Sequence, residues 1–124
     1  MTRYGFYINT SRAPFVVQIF SGAKLYETRT RNMLRSLIGK TVCIIETGHG
    51  HPIIVGRATI SGAELVPYSD SAKRRQARII GTPYDIKPDG AKWFYKLDNV
   101  ERLTPSPLPV TRENHGRSWT AWEE

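Results

Sequence analysis

Two apolar, β-branched runs separated by a short turn constrain the fold of this chain most strongly. The run 40–47, KTVCIIET, is typical of a buried strand, and the run 53–66, IIVGRATISGAELV, is typical of a longer one. Between them the sequence GHGHP combines glycines with a proline, which favours a turn. The sequence therefore predicts a hairpin, with a bulge or bend in its second strand at Gly56 or Gly62.

Three further segments favour extended structure because they are rich in aromatic or β-branched residues or follow a helix stop. These segments are RYGFYIN (3–9), KLYETRT (24–30) and AKWFYKLDNVERL (91–103). The hairpin-like returns between strands imply mostly antiparallel pairing. The expected fold class is α+β, as a small mixed sheet curled toward a barrel and flanked by short helices.

The helices are predicted from the spacing of apolar residues and from their stop signals. The run 12–22, RAPFVVQIFSG, places its apolar residues on one helical face, with Pro14 in the first turn and Gly22 just past the end. We predict a short second helix over 32–39, capped by Asn32, and a third helix over 69–81.

The length of the chain favours one domain covering residues 1–124, which is long enough to bury a core without disulfides. From Thr104 the sequence TPSPLPVT is rich in proline, which resists regular structure. Trp119 and Trp122 lie close to the terminus and predict that the tail, residues 104–124, packs back onto the body.

The balance of charges is basic and favours a polyanionic partner. There are 18 Lys and Arg against 11 Asp and Glu, so 18 − 11 gives a net charge of +7. The lone Cys43 fits a buried strand residue in a reducing compartment. No secretory segment or membrane-spanning stretch is evident. We therefore expect a cytoplasmic protein that does not enter a membrane, with a monomer favoured.

Three charged residues lie close together after the first predicted helix, in SGAKLYETRTR (21–31). In an extended segment Glu27 and Arg29 share a face, and Lys24 lies at the corner after the glycine. Burial beside an arginine would lower the pKa of Lys24 and suit a general base, whereas Glu27 would stabilise its ammonium. The cluster is therefore a surface ion pair, an anion-binding pocket with Arg29 as a planar fork, or a catalytic site.

The same residues resemble the signature of a known family. Gly22, Lys24, Glu27 and Arg29 reproduce the pattern G-x-K-x-x-E-x-R of the ASCH domain family, relatives of the PUA domains. The preceding run resembles the first helix of that family, with a basic residue, Arg12, just before it. LIGKTVCIIET and VGRATISG are similar to its central strands, and the resemblance extends over residues 4–103.

The resemblance implies a barrel of roughly five or six strands with a cleft lined by the signature. It implies RNA or modified nucleosides as ligands, and branches of the family hydrolyse 4-acetylcytidine or cleave single-stranded RNA. The amidohydrolase branch shares the lysine, here Lys24. It has a threonine at the position of Glu27 and a glutamate in a later helix. The predicted helix 69–81 contains no glutamate, so this chain departs from that branch at both places.

Two other stretches carry candidate ligand contacts. On the predicted helix 69–81, spacings of three and four place basic residues in a stripe that could follow a phosphate backbone or simply be a solvated face. In HGRSW, Trp119 could stack on a base and Ser118 could contact a ligand, or Trp119 could anchor the tail. The basic residues of the stripe on the predicted helix 69–81 are Lys73, Arg74, Arg75 and Arg78.

The histidines of GHGH, His49 and His51, fit an exposed turn better than a metal site, because no further ligand lies at a supporting spacing. We expect no cofactor, and a divalent metal is left open.

The predicted function is an ASCH-type domain that binds RNA or a modified nucleotide. The first alternative is a small hydrolase of the same fold, a ribonuclease or an amidohydrolase, with Lys24 and Glu27 as catalytic residues. The second alternative is a protein-interaction domain. The predicted binding residues are Arg12, Lys24, Glu27, Arg29, Arg74, Arg75, Arg78, Ser118 and Trp119.

Overall fold

A computed structural model describes residues 1–72, 74 and 87–124 of the chain. Strands account for most of the regular structure in these residues, and the helices are short. In chain order the elements are β1 (Thr2–Asn9), α1 (Phe15–Ser21), β2 (Tyr26–Arg29), a 3₁₀-helix (Arg35–Leu37), β3 (Thr41–Thr47), β4 (Ile53–Pro67), β5 (Ala91–Pro107), β6 (Glu113–His115) and β7 (Trp119–Glu123).

The strands form one sheet in the order β2-β5-β4-β3-β1-β7-β6. Neighbouring strands are antiparallel except for β1 and β3, which pair in parallel. The ladder has two ends, β2 and β6, so the described sheet is open. The predicted α+β class and the mostly antiparallel pairing are confirmed at this level.

The predicted hairpin is present as β3 and β4, which pair from Thr41↔Thr59 to Glu46↔Ile53. Both glycines predicted to mark an irregularity lie at shifts of register between β4 and β5. At Gly56 the reason is space, because a Cβ there would meet the ring of Phe20 and lie 2.6 Å from the carbonyl oxygen of Glu101. Glycine therefore lets α1 approach the sheet.

The helix α1 covers one side of the core with its buried apolar face, Phe15, Val16 and Ile19. It ends at Gly22, which has a left-handed φ of 83° and donates its N–H to the carbonyl of Ile19. The helix stop agrees with the sequence prediction. The position of Pro14 differs from the prediction, because this residue is the N-cap and precedes the first turn of the helix. Among the described residues, no helix has the length and apolarity needed to cross a bilayer.

The second predicted helix, over 32–39, is wrong in extent, because only a three-residue 3₁₀-helix forms there. Asn32 does not cap it. Its Oδ1 accepts a hydrogen bond of 2.8 Å from the Tyr95 hydroxyl, which also accepts the N–H of Leu34 at 3.3 Å. The segment is therefore fixed by hydrogen bonds to a fully buried tyrosine, and these bonds replace those of a regular helix. The third predicted helix lies mostly outside the described residues.

The expectation that TPSPLPVT resists regular structure is wrong for residues 104–107, whereas residues 108–111 lie outside any helix or strand. β5 continues to Pro107, and β6 and β7 form a second hairpin. β2 pairs only with residues 93–96 of β5, so the end of β5 is an edge strand, where proline is tolerated. β7 pairs with β1 from Thr2↔Glu123 to Phe6↔Trp119, which places the C-terminal residues against the sheet.

We expect Gly56→Ala to lower the free energy of unfolding by about 2 kcal/mol, because the added methyl group overpacks against Phe20 and the β5 backbone. Gly62→Ala is the matched control on the same strand, since nothing lies within 4 Å of its added Cβ, and we expect a change within about 0.5 kcal/mol. Urea unfolding measures both. Equal loss in the two variants would contradict the packing explanation.

Candidate functional site

A cavity of about 970 Å³ contains the charged cluster. Its walls come from β1, from β2, from the segments before and after α1, and from the turn between β6 and β7. The lining residues are Tyr7, Ile8, Asn9, Ser11, Arg12, Phe15, Lys24, Glu27, Thr28, Arg29, Thr30, Met33, Thr47, Pro52, Lys92, Asn114, Gly116 and Arg117.

Lys24 and Glu27 line this cavity and are buried, although both side chains are ionisable. Only 2% of the Lys24 surface and 5% of the Glu27 surface is exposed. Lys24 follows the end of α1 at Gly22 and its N–H bonds to the carbonyl of Gln18 at 2.9 Å. Its Nζ lies 3.7 Å from Glu27 Oε1 and 4.8 Å from the centre of the Phe15 ring. The alternative of a solvated surface ion pair therefore does not describe this cluster.

Arg29 ties the cluster to two strands. Its Nη1 lies 3.1 Å from Glu27 Oε1 and donates a 2.9 Å hydrogen bond to the carbonyl of Thr28. Its Nη2 donates a 2.7 Å bond to the carbonyl of Tyr7 on β1. β2 forms its backbone ladder with β5, so this guanidinium is a side-chain link from β2 to β1 across the cavity wall.

The charges within the cluster set its protonation. Burial acts to raise the pKa of Glu27, but Lys24, Arg29 and the Thr28 N–H outweigh it and hold that pKa below its usual range. Glu27 is therefore ionised at neutral pH. Burial lowers the pKa of Lys24, the charge of Glu27 opposes the shift, and the charge of Arg29 adds to it. The lysine is thus easier to deprotonate than a solvated one.

The two oxygens of Glu27 differ in their hydrogen bonds to the described residues. Oε1 accepts the N–H of Thr28 at 2.9 Å and lies next to both cations of the cluster. Oε2 is buried and has no hydrogen-bond donor among the described residues. Buried carboxylate oxygens normally accept a hydrogen bond, so this atom is an exception in a charged site.

The cavity is cationic overall. Among the residues that the structure describes, five cationic side chains and one carboxylate line it, so a bound anion would be attracted. Arg117 is exposed at its edge and makes no hydrogen bond or ion pair within the described part of the chain. The cationic side chains are Arg12, Lys24, Arg29, Lys92 and Arg117.

The structure brings four of the predicted site residues to this cavity: Arg12, Lys24, Glu27 and Arg29. Ser118 and Trp119 lie outside the lining. The Ser118 hydroxyl contacts Met33 Sδ at 3.1 Å, and the Trp119 ring stacks on His115 with 3.7 Å between centroids.

The basic stripe predicted on helix 69–81 is placed only in part. Arg74 is helical and exposed, and it does not line the cavity. Arg75 and Arg78 lie outside the described residues, as does Lys73.

The sequence prediction did not include the contributions of β1 and of the last turn. Tyr7 and Asn9 line the cavity at the end of β1, beyond the last residue pair with β7 at Phe6. Arg117 was visible in HGRSW as a basic residue beside a candidate site. Its position depends on the β6–β7 hairpin, which the proline-rich sequence did not predict.

The histidines of the GHGH turn do not form a metal site with other residues that the structure describes. Within the described ranges, no group of three or more His, Cys, Asp or Glu side chains could hold a metal ion. The His49 ring lies instead 3.2 Å from the carbonyl of Thr10.

No protein-family model matches the chain, and no curated protein matches it. The fold and site define an α+β domain with one open, mostly antiparallel sheet and a Lys–Glu–Arg cluster, whose lysine and glutamate are buried, in a cationic cavity.

We expect Arg29→Lys to lower the free energy of unfolding by about 1–3 kcal/mol, because an ammonium cannot bond to Glu27 and to the Thr28 and Tyr7 carbonyls together. Arg117→Lys is the control, an exposed arginine of the same cavity without such bonds, with an expected change within about 0.5 kcal/mol. Denaturant unfolding compares them. A neutral Arg29→Lys would contradict the strand-linking role.

Proposed function

We propose that this chain is an ASCH-type domain of the PUA-like class that binds RNA or a nucleotide in the cavity of the Lys–Glu–Arg cluster. The proposal includes a sheet that curls toward a barrel, with β2 approaching β1. The bond from Arg29 to the Tyr7 carbonyl supports this arrangement, because β2 and β1 are not neighbours in the strand order.

The observation that carries the proposal is the burial of Lys24 and Glu27 beside the half-buried Arg29 at one cavity. Burying charges costs free energy that their mutual attraction often fails to recover. A surface ion pair avoids that cost, so burial at a cavity favours a binding function. The cavity is also large enough for a small ligand, since ligand sites are commonly about 300–1,000 Å³.

The chemistry of the lining fits a nucleotide. Cations are present in the cluster and at the edge of the cavity, and a phosphate needs such cations. Between them lie neutral groups that can hydrogen-bond a sugar or a base, among them Asn9, Thr28 and Asn114. A purely anionic ligand would need no carboxylate, whereas a nucleotide combines an anionic part with a neutral, hydrogen-bonding part.

A hydrolase of the same fold is the second candidate, and the lowered pKa of Lys24 favours it. A buried lysine that loses its proton more easily than usual can accept a proton from water or from a ribose hydroxyl. Turnover is tested by analysing single-stranded RNA and acylated cytidine after incubation with and without divalent metal. The absence of products with the wild type under all these conditions would exclude the reaction for those substrates.

We expect Lys24→Met to weaken the binding of a short single-stranded RNA about 10-fold to 100-fold, because a charge-assisted hydrogen bond contributes about 1.5–3 kcal/mol. Fluorescence anisotropy over a series of salt concentrations measures the affinity, which should fall as salt rises.

Lys96→Met is the control for that experiment. Lys96 is exposed on β5 and lies outside the cavity, so this variant also loses one positive charge but keeps the cluster. We expect its affinity to stay within about threefold of the wild type. Equal, salt-independent affinity of the wild type and Lys24→Met would contradict the proposed site.

A further inference from the structure

The turn between β6 and β7 carries an arginine, Arg117, at the edge of the cavity. The two strands pair last at His115↔Trp119, so residues 116–118 form the turn. Gly116 has a left-handed φ of 63°, which allows the chain to reverse within so few residues. The hairpin that the sequence did not predict therefore brings a cationic side chain to the site.

Hydrogen bonds hold this turn against β1 and against the segment before the 3₁₀-helix. Tyr7 donates its N–H to the Ser118 carbonyl at 3.0 Å and its hydroxyl to Asn114 Oδ1 at 2.6 Å. The Ser118 hydroxyl donates to Met33 Sδ at 3.1 Å. Because the backbone on either side of Arg117 is already fixed, a ligand that binds there does not have to order the turn.

The Arg117 guanidinium makes no hydrogen bond or ion pair within the residues that the structure describes. Other arginines of the sheet differ in this respect, since Arg3 pairs with Glu124 and Arg57 pairs with Glu101. The carboxylate of the charged cluster already lies beside the two cations of that cluster. The edge of the cavity therefore carries a positive charge that no described carboxylate compensates.

A phosphate is the part of a nucleotide that fits this cation. A guanidinium presents a planar fork of N–H donors, which matches two oxygens of a phosphate. Arg117 is exposed, so a phosphate bound to it stays partly hydrated and avoids much of the cost of burying a charge. Within the cluster, side-chain exposure is only 1% for Lys24 and 18% for Arg29, so the edge is the more accessible place for an anion.

We propose that Arg117 binds the phosphate of the nucleotide at the edge of the cavity, while the sugar and the base lie against neutral residues of the same lining. This inference rests on the proposed function, because it assigns one part of that ligand to one residue. Exposed neutral residues with hydrogen-bonding groups are present in the lining, namely Asn9, Thr30 and Asn114. A phosphate held at the edge also allows an RNA chain to continue outside the cavity.

The first experiment compares CMP with cytidine, which differ only in the phosphate, by isothermal titration calorimetry. The wild type should bind CMP about tenfold more tightly than cytidine. Arg117→Met removes the guanidinium, so its affinity for CMP should fall about tenfold and its affinity for cytidine should stay within about threefold. Damage to the fold would weaken both ligands alike, so the difference between them isolates the phosphate contact.

Two variants serve as controls. Arg35→Met makes the same substitution at an exposed arginine of the 3₁₀-helix that lies outside the cavity lining, and its affinity for CMP should stay within about threefold of the wild type. Arg117→Lys keeps the positive charge and loses the planar fork. Its affinity for CMP should fall by only about threefold, because an ammonium still attracts the phosphate.

A short single-stranded RNA distinguishes a phosphodiester from the terminal phosphate of a free nucleotide. Fluorescence anisotropy over a series of salt concentrations gives the slope of log affinity against log salt. In Arg117→Met this slope should become shallower by about 0.7, because one phosphate contact is lost, and in Arg35→Met it should not change. A loss for CMP alone identifies a terminal phosphate and a loss for RNA alone identifies a phosphodiester, and either result supports the role of Arg117.

The outcomes separate the two proposals. If the wild type binds and Arg117→Met keeps its affinity for both CMP and RNA, the role of Arg117 is overturned and the proposed function stands. A parallel loss of affinity for CMP and cytidine in that variant would also overturn the phosphate contact. The absence of wild-type binding to CMP, cytidine and RNA would overturn the proposed function together with this inference.

Discussion

The structure of this site depends on the compensation of buried charge around Glu27. An isolated buried carboxylate would be very costly, and here one oxygen lies within 3.1 Å of Arg29 and 3.7 Å of Lys24. The same attraction holds the lysine in a site where burial lowers its pKa. Glu27 is the shared partner of both cations, so its loss would leave the buried Lys24 charge without an ion pair and next to Arg29.

The fold supplies the rigidity that this unit needs. α1 ends sharply at Gly22, which places Lys24 at a fixed corner, and β5 holds β2 through four residue pairs. Arg29 then links β2 to Tyr7, so the cluster bonds to two strands that are far apart in the sheet order. The cluster is therefore held in one geometry, which is a requirement for a binding site.

Features set by neighbouring residues could be predicted from the sequence, whereas features set by long-range pairing could not. The β3–β4 hairpin, the stop at Gly22 and the cluster itself are local and were predicted. The parallel pairing of β1 with β3 and the return of β7 to β1 join distant segments, and they decide that Tyr7 and Arg117 reach the cavity. The failed helix at Asn32 has the same cause, since Tyr95, distant in sequence, takes the side chain that was expected to cap it.

The most direct test of a buried, ligand-linked charge cluster is the titration of Lys24 by heteronuclear NMR of its side chain, with Lys24→Met to assign the signal. Below its pKa the lysine is protonated, and burial moves that pKa below the ordinary value of 10.5 in the free protein. Bound CMP, as a nucleotide, should raise the pKa, because its anionic phosphate favours the ammonium. A Lys24 signal that titrates at 10.5, unchanged by CMP, would contradict both the burial of the lysine and its contact with the ligand.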